Sequence, residues 1–244
     1  MEVLEFYLDF MAEATEDAGL IFGFVRGPMA DFVPEPLRGV PLCAIAGCHI
    51  GPESEAEAAL EPIRRFGPPA LDLMGRMPYP ALQQMFDASY PAGLSLFERS
   101  DFMTDITRDV IAIHAEHGPR VPTPLSVVFI YPTGGAAHRV GPNETAFAFR
   151  DAEFVHLIGA IDPDPAVTRR HSSWVRDYWS ALHVHSAGGA YVNWMGDEGG
   201  DRVAATYRGN YERLRAVKAK YDPGNLFHIN QNVRPAEAAE ALRC

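Results

Sequence analysis

Two strongly apolar segments limit the folds that are open to this chain. LSVVFIYP, residues 125–132, is rich in β-branched and aromatic residues, and FVHLIGAI, residues 154–161, is nearly all apolar. This composition is typical of β-strands. Gly134 and Gly135 follow the first segment and predict a turn there. A β-sheet is therefore expected to be part of the core.

Further strands and helices are predicted from the spacing of apolar residues. A period of two predicts five more strands, at residues 20–26, 41–50, 95–103, 145–150 and 189–195. A period near 3.6 predicts helices at residues 2–16, 52–66, 81–88, 105–117, 163–183 and 201–221, the last as one or two helices. Several strands follow one another without a helix between them, which favours the α+β class. We expect a large antiparallel sheet of about seven strands, with helices mainly on one face.

The overall composition excludes several classes of protein. The chain has 244 residues, and its 47% hydrophobic content is sufficient for a buried core. Its net charge of -11 makes nucleic-acid binding unfavourable, because phosphate backbones are also negative. No apolar run approaches the roughly 20 residues that span a bilayer, and MEVLEFYLDF does not resemble a signal peptide. A cytoplasmic protein without membrane contact is expected.

Several common catalytic signatures are absent from the sequence. It contains no Gly-x-Ser-x-Gly, no Walker-type phosphate loop and no His-Glu-x-x-His. His114 and His117, and likewise His183 and His185, have spacings that could bind a metal ion. No carboxylate or cysteine accompanies either pair at a recognisable interval, so no metal site is predicted.

Two predicted strands carry polar or aromatic residues on one face. In GAYVNWM, Tyr191 and Asn193 would point the same way, which indicates either a ligand site or a partly solvated sheet edge. In LSVVFIYP, Val127, Phe129 and Tyr131 would share a face, which more often belongs to a core than to a ligand site. The residues alone leave both alternatives open.

The segment KYDPGNLFHINQN, residues 220–232, has an unusual pattern near the end of the chain. Asp222-Pro223-Gly224 predicts the end of a helix, because proline disfavours a helical conformation at the residue before it. Asn230 and Asn232 would face the same way if the segment were extended. The apolar residues Leu226, Phe227 and Ile229 are expected to anchor it. Paired amides on an anchored strand suit a ligand rich in heteroatoms.

Two longer stretches together resemble a known family. YVNWMGDE, residues 191–198, and RVAATYRGNYERLRAVKAKYDPGNLFHINQN, residues 202–232, are similar to the C-terminal signature of FAD-linked oxidases related to berberine bridge enzyme. RFGPPALDLMGRMPYPALQQMFD and TAFAFR also look like the substrate-binding domain of that family. The resemblance implies a substrate-binding domain over residues 1–200, a berberine-bridge-like segment over 201–235, and a tail over 236–244.

The resemblance also implies the position of a cofactor site. In such enzymes an N-terminal FAD-binding domain comes first, and the sheet of the substrate domain covers the isoalloxazine ring. By this similarity Asn193, Asn230 and Asn232 would contact FAD. These 244 residues contain no counterpart of that first domain. A separate FAD-domain chain, or a second copy of this chain, is therefore expected as a partner.

Two departures from the family pattern affect the expected chemistry. Trp194 occupies a position where many relatives carry a tyrosine that acts as a base, and Phe149 replaces a common histidine. Tyr131 and Tyr191 remain as the expected catalytic residues. Phe129, Phe149 and Trp194 are expected to bind the substrate.

Three functions are compatible with these expectations. The leading one is half of an oxidoreductase that passes hydride from a small organic substrate to FAD. The alternative is a flavin-free module that binds an aromatic or hydrophobic small molecule. A cofactor-independent enzyme is a third possibility, for which the sequence shows no pair of nucleophile and base.

Overall fold

A computed structural model describes residues 1–87 and 90–237 of the chain. The helices are α1 (Glu2–Glu13), α2 (Glu53–Arg65), α3 (Tyr79–Gln84), α4 (Arg108–His117), α5 (Pro165–His183), α6 (Gly200–Tyr207) and α7 (Tyr211–Tyr221). The strands are β1 (Ala18–Arg26), β2 (Pro41–His49), β3 (Ser95–Met103), β4 (Val127–Pro132) and β5 (Phe154–Asp162). The last residue of the helix predicted at 81–88 and most of the predicted tail at 236–244 lie outside the described residues.

The five described strands form one antiparallel sheet in the order β2-β1-β4-β5-β3. The prediction of a mixed helical and strand fold with an antiparallel sheet is confirmed, but the predicted number of about seven strands is wrong. Residues 145–150 and 189–195 are not strands. Both segments are loops that lie against the sheet, as described below.

One face of the sheet carries the larger core, and this surface is called the helix face here. Helices α1, α4 and α5 contribute to it. The strand register places Phe22 beside Ile130, and Val128 beside Ile158, on this face. All four side chains are buried, together with Tyr7 of α1 and Tyr178 of α5. The Tyr7 hydroxyl donates a hydrogen bond to the Leu20 carbonyl over 3.0 Å, which links α1 to β1.

The strand residues that alternate with this core form the second face. It carries a smaller buried cluster in which Phe102 of β3 and Val155 of β5 meet Phe149 and Ala152. The last two residues belong to the long loop between β4 and β5. The alternation in TAFAFR thus reflects loop side chains that pack on a sheet, rather than a strand within it.

The segment predicted as the strand GAYVNWM pairs with the edge strand β3 at a single residue. The Phe102 N–H donates to the Gly189 carbonyl over 3.0 Å, and the Ala187 N–H donates to the Phe102 carbonyl over 2.8 Å. The chain then turns into a single 3₁₀ turn, Val192–Trp194. A side chain at Gly189 would collide with the Phe149 ring, so glycine allows this close approach.

Among the described residues, no helix combines the length and the apolar character that a bilayer crossing requires.

Candidate functional site

A group of aromatic side chains lies on the second face, at the end where the loops cover it. The Tyr131 and Trp194 rings are 4.8 Å apart between centroids, and the Tyr191 ring meets Trp194 edge-on at 4.9 Å. The Phe129 and Tyr131 rings are 5.8 Å apart, also edge to face. The Asn193 amide donates a hydrogen bond to the Tyr191 hydroxyl over 2.9 Å. These five residues, Phe129, Tyr131, Tyr191, Asn193 and Trp194, are called the aromatic site.

The sequence thus identified residues that the fold brings together. Phe129 and Tyr131 come from β4, whereas the other three come from the loop after α5, about 60 positions further along the chain. The four aromatic side chains are partly buried, and Asn193 is exposed. Ring faces and edges of this kind suit a flat, partly apolar ligand, while the exposed amide and the two hydroxyls can orient polar atoms.

The structure adds Glu98, which sequence reasoning missed. Glu98 lies on β3, and the strand register places it on the second face. It is the one charged residue that the described strands direct to this face. Burial raises the pKa of Glu98 to about 7. A carboxyl group with this pKa is partly ionised near neutral pH and can accept or release a proton. The signal was available, since the alternation in SLFERSDFM puts Glu98 on the same face as Leu96 and Phe102.

Glu98 also influences the tyrosines of this face. Burial, together with the negative charges of Tyr90 and Glu98, raises the pKa of Tyr131 to about 12. Burial and the Glu98 carboxylate likewise raise the pKa of Tyr90. Tyr131 is therefore a neutral hydrogen-bond donor at physiological pH, and an ionised Tyr131 base is disfavoured.

Phe149, predicted to bind substrate, is packed inside the molecule. Its ring stacks on Phe102 at 4.4 Å, the Arg208 guanidinium lies 3.6 Å from the ring centroid, and only 1% of the residue is exposed. Phe149 therefore supports the aromatic site from behind. A direct contact between Phe149 and substrate stays a prediction.

An ion-pair network fixes the loop that carries Tyr191, Asn193 and Trp194. Asp101 of β3 is completely buried and pairs with Arg202 of α6 and with the His183 imidazole, whose Nδ1 is 2.9 Å from the carboxylate. Arg202 also donates to the Ser100 and Gly188 carbonyls, over 2.8 Å each. Glu198 completes the network, with its carboxylate 3.4 Å from Arg202 Nε.

The turn after α7 is organised by Asp222. Its carboxylate accepts hydrogen bonds from the backbone N–H groups of Leu226, at 2.7 Å, and Phe227, at 3.0 Å. Lys218 pairs with the same carboxylate and, together with these hydrogen bonds, lowers the pKa of Asp222. The Tyr-Asp-Pro-x-Asn-Leu-Phe element is thus a self-contained turn that presents the residues after it.

The predicted extended conformation of residues 230–232 is wrong. Asn230 has φ of 63°, and the Asn232 N–H donates to the Asn230 carbonyl over 3.0 Å, which closes a tight turn at Gln231. The Gln231 amide donates to the Met195 carbonyl and ties this turn to the loop of the aromatic site. Within the described residues, the side-chain amides of Asn230 and Asn232 form no hydrogen bond, which leaves them available to a ligand.

The expected anchoring of the apolar residues before this turn is also not found within the described chain. Leu226, Phe227 and Ile229 are 74%, 76% and 82% exposed. Three large apolar side chains within four residues, all with this exposure, are typical of a surface that another part of a protein covers.

The histidine pairs weighed as metal ligands have other contacts. His114 Nδ1 is 2.5 Å from the Tyr178 hydroxyl, and the His117 ring stacks on the Tyr178 ring at 5.0 Å. His183 pairs with Asp101. In the described part of the chain, no three His, Cys, Asp or Glu side chains are grouped as a metal ion would require.

Comparison with known proteins shows what the chain is similar to. The family model "Berberine and berberine like" matches residues 190–234. An uncharacterized FAD-linked oxidoreductase of Bacillus subtilis, YgaK, is 28% identical over 78% of this chain and 42% of its own length. The xylooligosaccharide oxidase of Thermothelomyces thermophilus is 37% identical over 42% of this chain and 22% of its own length. The chain thus spans less than half the length of these curated relatives.

The fold is similar to that of a solved structure as well. Berberine bridge enzyme-like protein 28 from Arabidopsis thaliana superimposes with a TM-score of 0.75 at 18% identity, over 97% of this chain and 54% of that one. The resemblance predicted from the sequence is confirmed: residues 190–234 carry a berberine-bridge-like domain, and the homologues are FAD-linked oxidoreductases.

Proposed function

We propose that this chain forms the substrate-binding half of an FAD-linked oxidoreductase that oxidises a small organic molecule. The observation that carries the proposal is the aromatic site, where Tyr131, Tyr191 and Trp194 from two distant parts of the chain meet on the second face. FAD bound against this face would accept a hydride from the substrate. The relatives that are named as FAD-linked oxidoreductases support this assignment.

The residues of the chain have separable roles in this proposal. Phe129 and Trp194 provide apolar surface for a flat substrate, and Tyr131 and Tyr191 contact it through their hydroxyl groups. Glu98 has a pKa of about 7, and its charge acts on Tyr131, so it is the group proposed to accept the proton that leaves the substrate as it is oxidised. Tyr131 stays neutral, because its pKa is about 12, and donates a hydrogen bond that orients the substrate.

The side chains proposed to contact the flavin are amides. Asn193 at the aromatic site and Asn230 and Asn232 in the C-terminal turn can each donate to and accept from the heteroatoms of an isoalloxazine ring. Gln231 links the turn to Met195, so both sets of amides belong to one connected surface. The exposure of Asn193 and Asn230, and the absence of side-chain hydrogen bonds at Asn230 and Asn232 among the described residues, fit such a ligand.

The exposed apolar residues of the C-terminal segment support a protein partner. We propose that Leu226, Phe227 and Ile229 are covered by an FAD-binding domain, provided by a separate chain. A second copy of this chain is the competing occupant, and a concentration-dependent oligomer in solution would identify it.

A flavin titration tests the proposed function. FAD is added to the 244-residue chain, unbound FAD is removed, and retained visible absorbance is measured together with the quenching of Trp194 fluorescence. Saturable quenching that the Trp194→Phe variant lacks is expected, because the ring would lie against the flavin. Quenching that is the same in both proteins would contradict a flavin beside Trp194, and a chain that retains no flavin absorbance would favour a flavin-free binding module.

A further inference from the structure

The loop that carries half of the aromatic site contains little regular structure of its own. Between the end of α5 and the start of α6, residues 184–199 contain a single 3₁₀ turn, Val192–Trp194. Loops with few internal hydrogen bonds are usually mobile unless other elements hold them. The position of Tyr191, Asn193 and Trp194 therefore depends on contacts that the loop makes with its surroundings.

One guanidinium group holds both ends of this loop. Arg202 Nη1 donates to the Gly188 carbonyl over 2.8 Å, three residues before Tyr191. Arg202 Nε lies 3.4 Å from the Glu198 carboxylate, four residues after Trp194. The two contacts join the entry and the exit of the loop to the same side chain on α6.

The same guanidinium is fixed to the sheet. Arg202 Nη2 donates to the Ser100 carbonyl over 2.8 Å and pairs with the Asp101 carboxylate on β3. The Arg202 side chain is only 11% exposed, and Asp101 is fully buried. Water therefore cannot replace the contacts of Arg202 with Ser100 and Asp101 at low cost, because their loss leaves buried oxygen atoms on β3 without this donor.

We propose that Arg202 is a positioning residue that holds the loop 188–198 on β3 and thereby sets where Tyr191 and Trp194 meet Tyr131. The inference rests on the proposed function, since the loop matters for catalysis only if the aromatic site binds substrate or flavin. The positioning role itself can be tested without the proposed function, because it concerns only how well ordered the loop is.

The shape of arginine explains why this residue type is needed. A planar guanidinium directs five N–H donors along fixed directions, so it can reach two carbonyls and two carboxylates at once. The single ammonium group of lysine would keep the charge but could not span acceptors on β3, at Gly188 and at Glu198 together. Arg202→Lys is therefore the informative variant.

The test uses Trp194 as a reporter in a chain where Trp174 and Trp179 are replaced by phenylalanine. In this background Arg202→Lys is expected to raise the acrylamide quenching constant of Trp194 by about twofold, because the loop becomes mobile. Arg176→Lys is the matched control, since Arg176 lies over Phe97 and contacts Ser172 rather than the loop. Unchanged quenching of Trp194 in folded Arg202→Lys would overturn the inference.

A reciprocal background separates positioning from general destabilisation. With Trp174 as the remaining tryptophan, Arg202→Lys should leave its quenching constant unchanged, because Trp174 lies on α5 beside His117. An equal rise at Trp174 and Trp194 would show overall loosening and would also overturn the inference. Should Arg202→Lys fail to fold, Glu198→Gln weakens the contacts of the loop exit with Arg202 and with Arg99 of β3, and a rise at Trp194 is again expected. Unchanged Trp194 quenching in folded Glu198→Gln would overturn the inference in the same way.

The two proposals fail in different measurements. Quenching by acrylamide needs no flavin, so it tests the positioning role even if FAD does not bind. If the wild-type chain binds FAD, Arg202→Lys should raise the FAD concentration needed for half-maximal quenching of Trp194 by about tenfold. Displacement of site residues by a fraction of an ångström is enough to reduce binding to this extent. If FAD quenches Trp194 in neither protein, flavin contact by this chain on its own is contradicted, whereas the positioning role of Arg202 is not.

Discussion

The two faces of the sheet are built from the same five strands but have different composition. On the helix face, buried apolar residues such as Phe22, Ile130 and Ile158 pack against residues of α1, α4 and α5. On the second face, a smaller buried cluster is completed by loops, and it carries partly exposed aromatic rings and the carboxyl group of Glu98. The first face therefore supplies most of the stability, and the second offers groups that can bind and react.

This difference follows from alternation along each strand. Adjacent residues of a strand point to opposite faces, so Ile130 enters the core while Phe129 and Tyr131 on either side of it reach the aromatic site. The stability of one face thus holds the reactive groups of the other in place. Substitutions on the helix face should therefore change mainly stability, whereas substitutions on the second face should change mainly binding.

The largest expected effect is on the helix face. Phe22→Ala should lower the free energy of unfolding by about 3 to 5 kcal/mol, because its fully buried ring leaves a cavity beside Tyr7 and Phe24. Phe129→Ala is the matched variant on the second face and should cost about 1 kcal/mol, since that ring is partly exposed. Urea denaturation of both variants measures the difference. Equal losses would mean that the two faces contribute alike to stability.

The second expected effect is acid destabilisation of the helix face. Burial lowers the pKa of His156 to about 4, and neither ring nitrogen has a hydrogen-bond partner among the described residues. The neutral imidazole is favoured in the fold, so stability is complete above the ordinary histidine pKa near 6.5, declines as pH falls from 6.5 to about 4, and levels off below that. The expected loss is about 2 kcal/mol from this group.

His156→Leu tests that assignment. The variant removes the buried imidazole, so its urea midpoint should fall less steeply than that of wild type over the same acidic range. His185→Leu, at an exposed position, is the control and should follow wild type. If the urea midpoint of His156→Leu falls with pH as steeply as that of wild type, the acid sensitivity belongs to another group, such as His114. Burial, His156 and His117 lower the pKa of His114 to about 3.

Glu98→Gln tests the second face, where stability is expected to depend on pH with the opposite sign. The folded pKa of Glu98 lies above that of an unfolded glutamate, so ionisation costs stability as pH rises from about 4.3 to about 7. Glu98→Gln should therefore raise the free energy of unfolding by about 1 kcal/mol above pH 7, a value reduced for partial solvent contact, and change little near pH 4. Denaturation at both pH values measures it. A uniform gain at all pH values would exclude ionisation as the cause.

These faces also explain how far the sequence predicts the structure. Strands such as 154–161 are predicted because burial dictates their composition, and the helices follow from the 3.6-residue period. TAFAFR shows the same alternation as a strand, but its Phe149 packs onto Phe102 from a loop, and periodicity does not distinguish the two cases. The number of strands was overestimated for this reason.

The candidate site was predictable only in part. Tyr131, Tyr191, Asn193 and Trp194 were found through the family resemblance and local pattern. The raised pKa of Glu98 depends on what surrounds it in three dimensions, and one sequence does not contain that information. The turn at Asn230 requires a positive φ, which asparagine tolerates but does not specify.

The smallest expected effect on stability is at Phe227, in the segment that neither face covers. Phe227→Ser should change the free energy of unfolding by less than about 0.5 kcal/mol, because 76% of the residue is exposed. The same variant should abolish association with a separately expressed FAD-binding domain, since it removes an apolar side chain from the proposed contact. Size-exclusion chromatography of the mixed chains measures the second effect, and Tyr221→Ser, at a residue 75% exposed on α7, is the control. Association that survives Phe227→Ser would place the contact elsewhere, and the aromatic site on the second face would then be the next surface to vary.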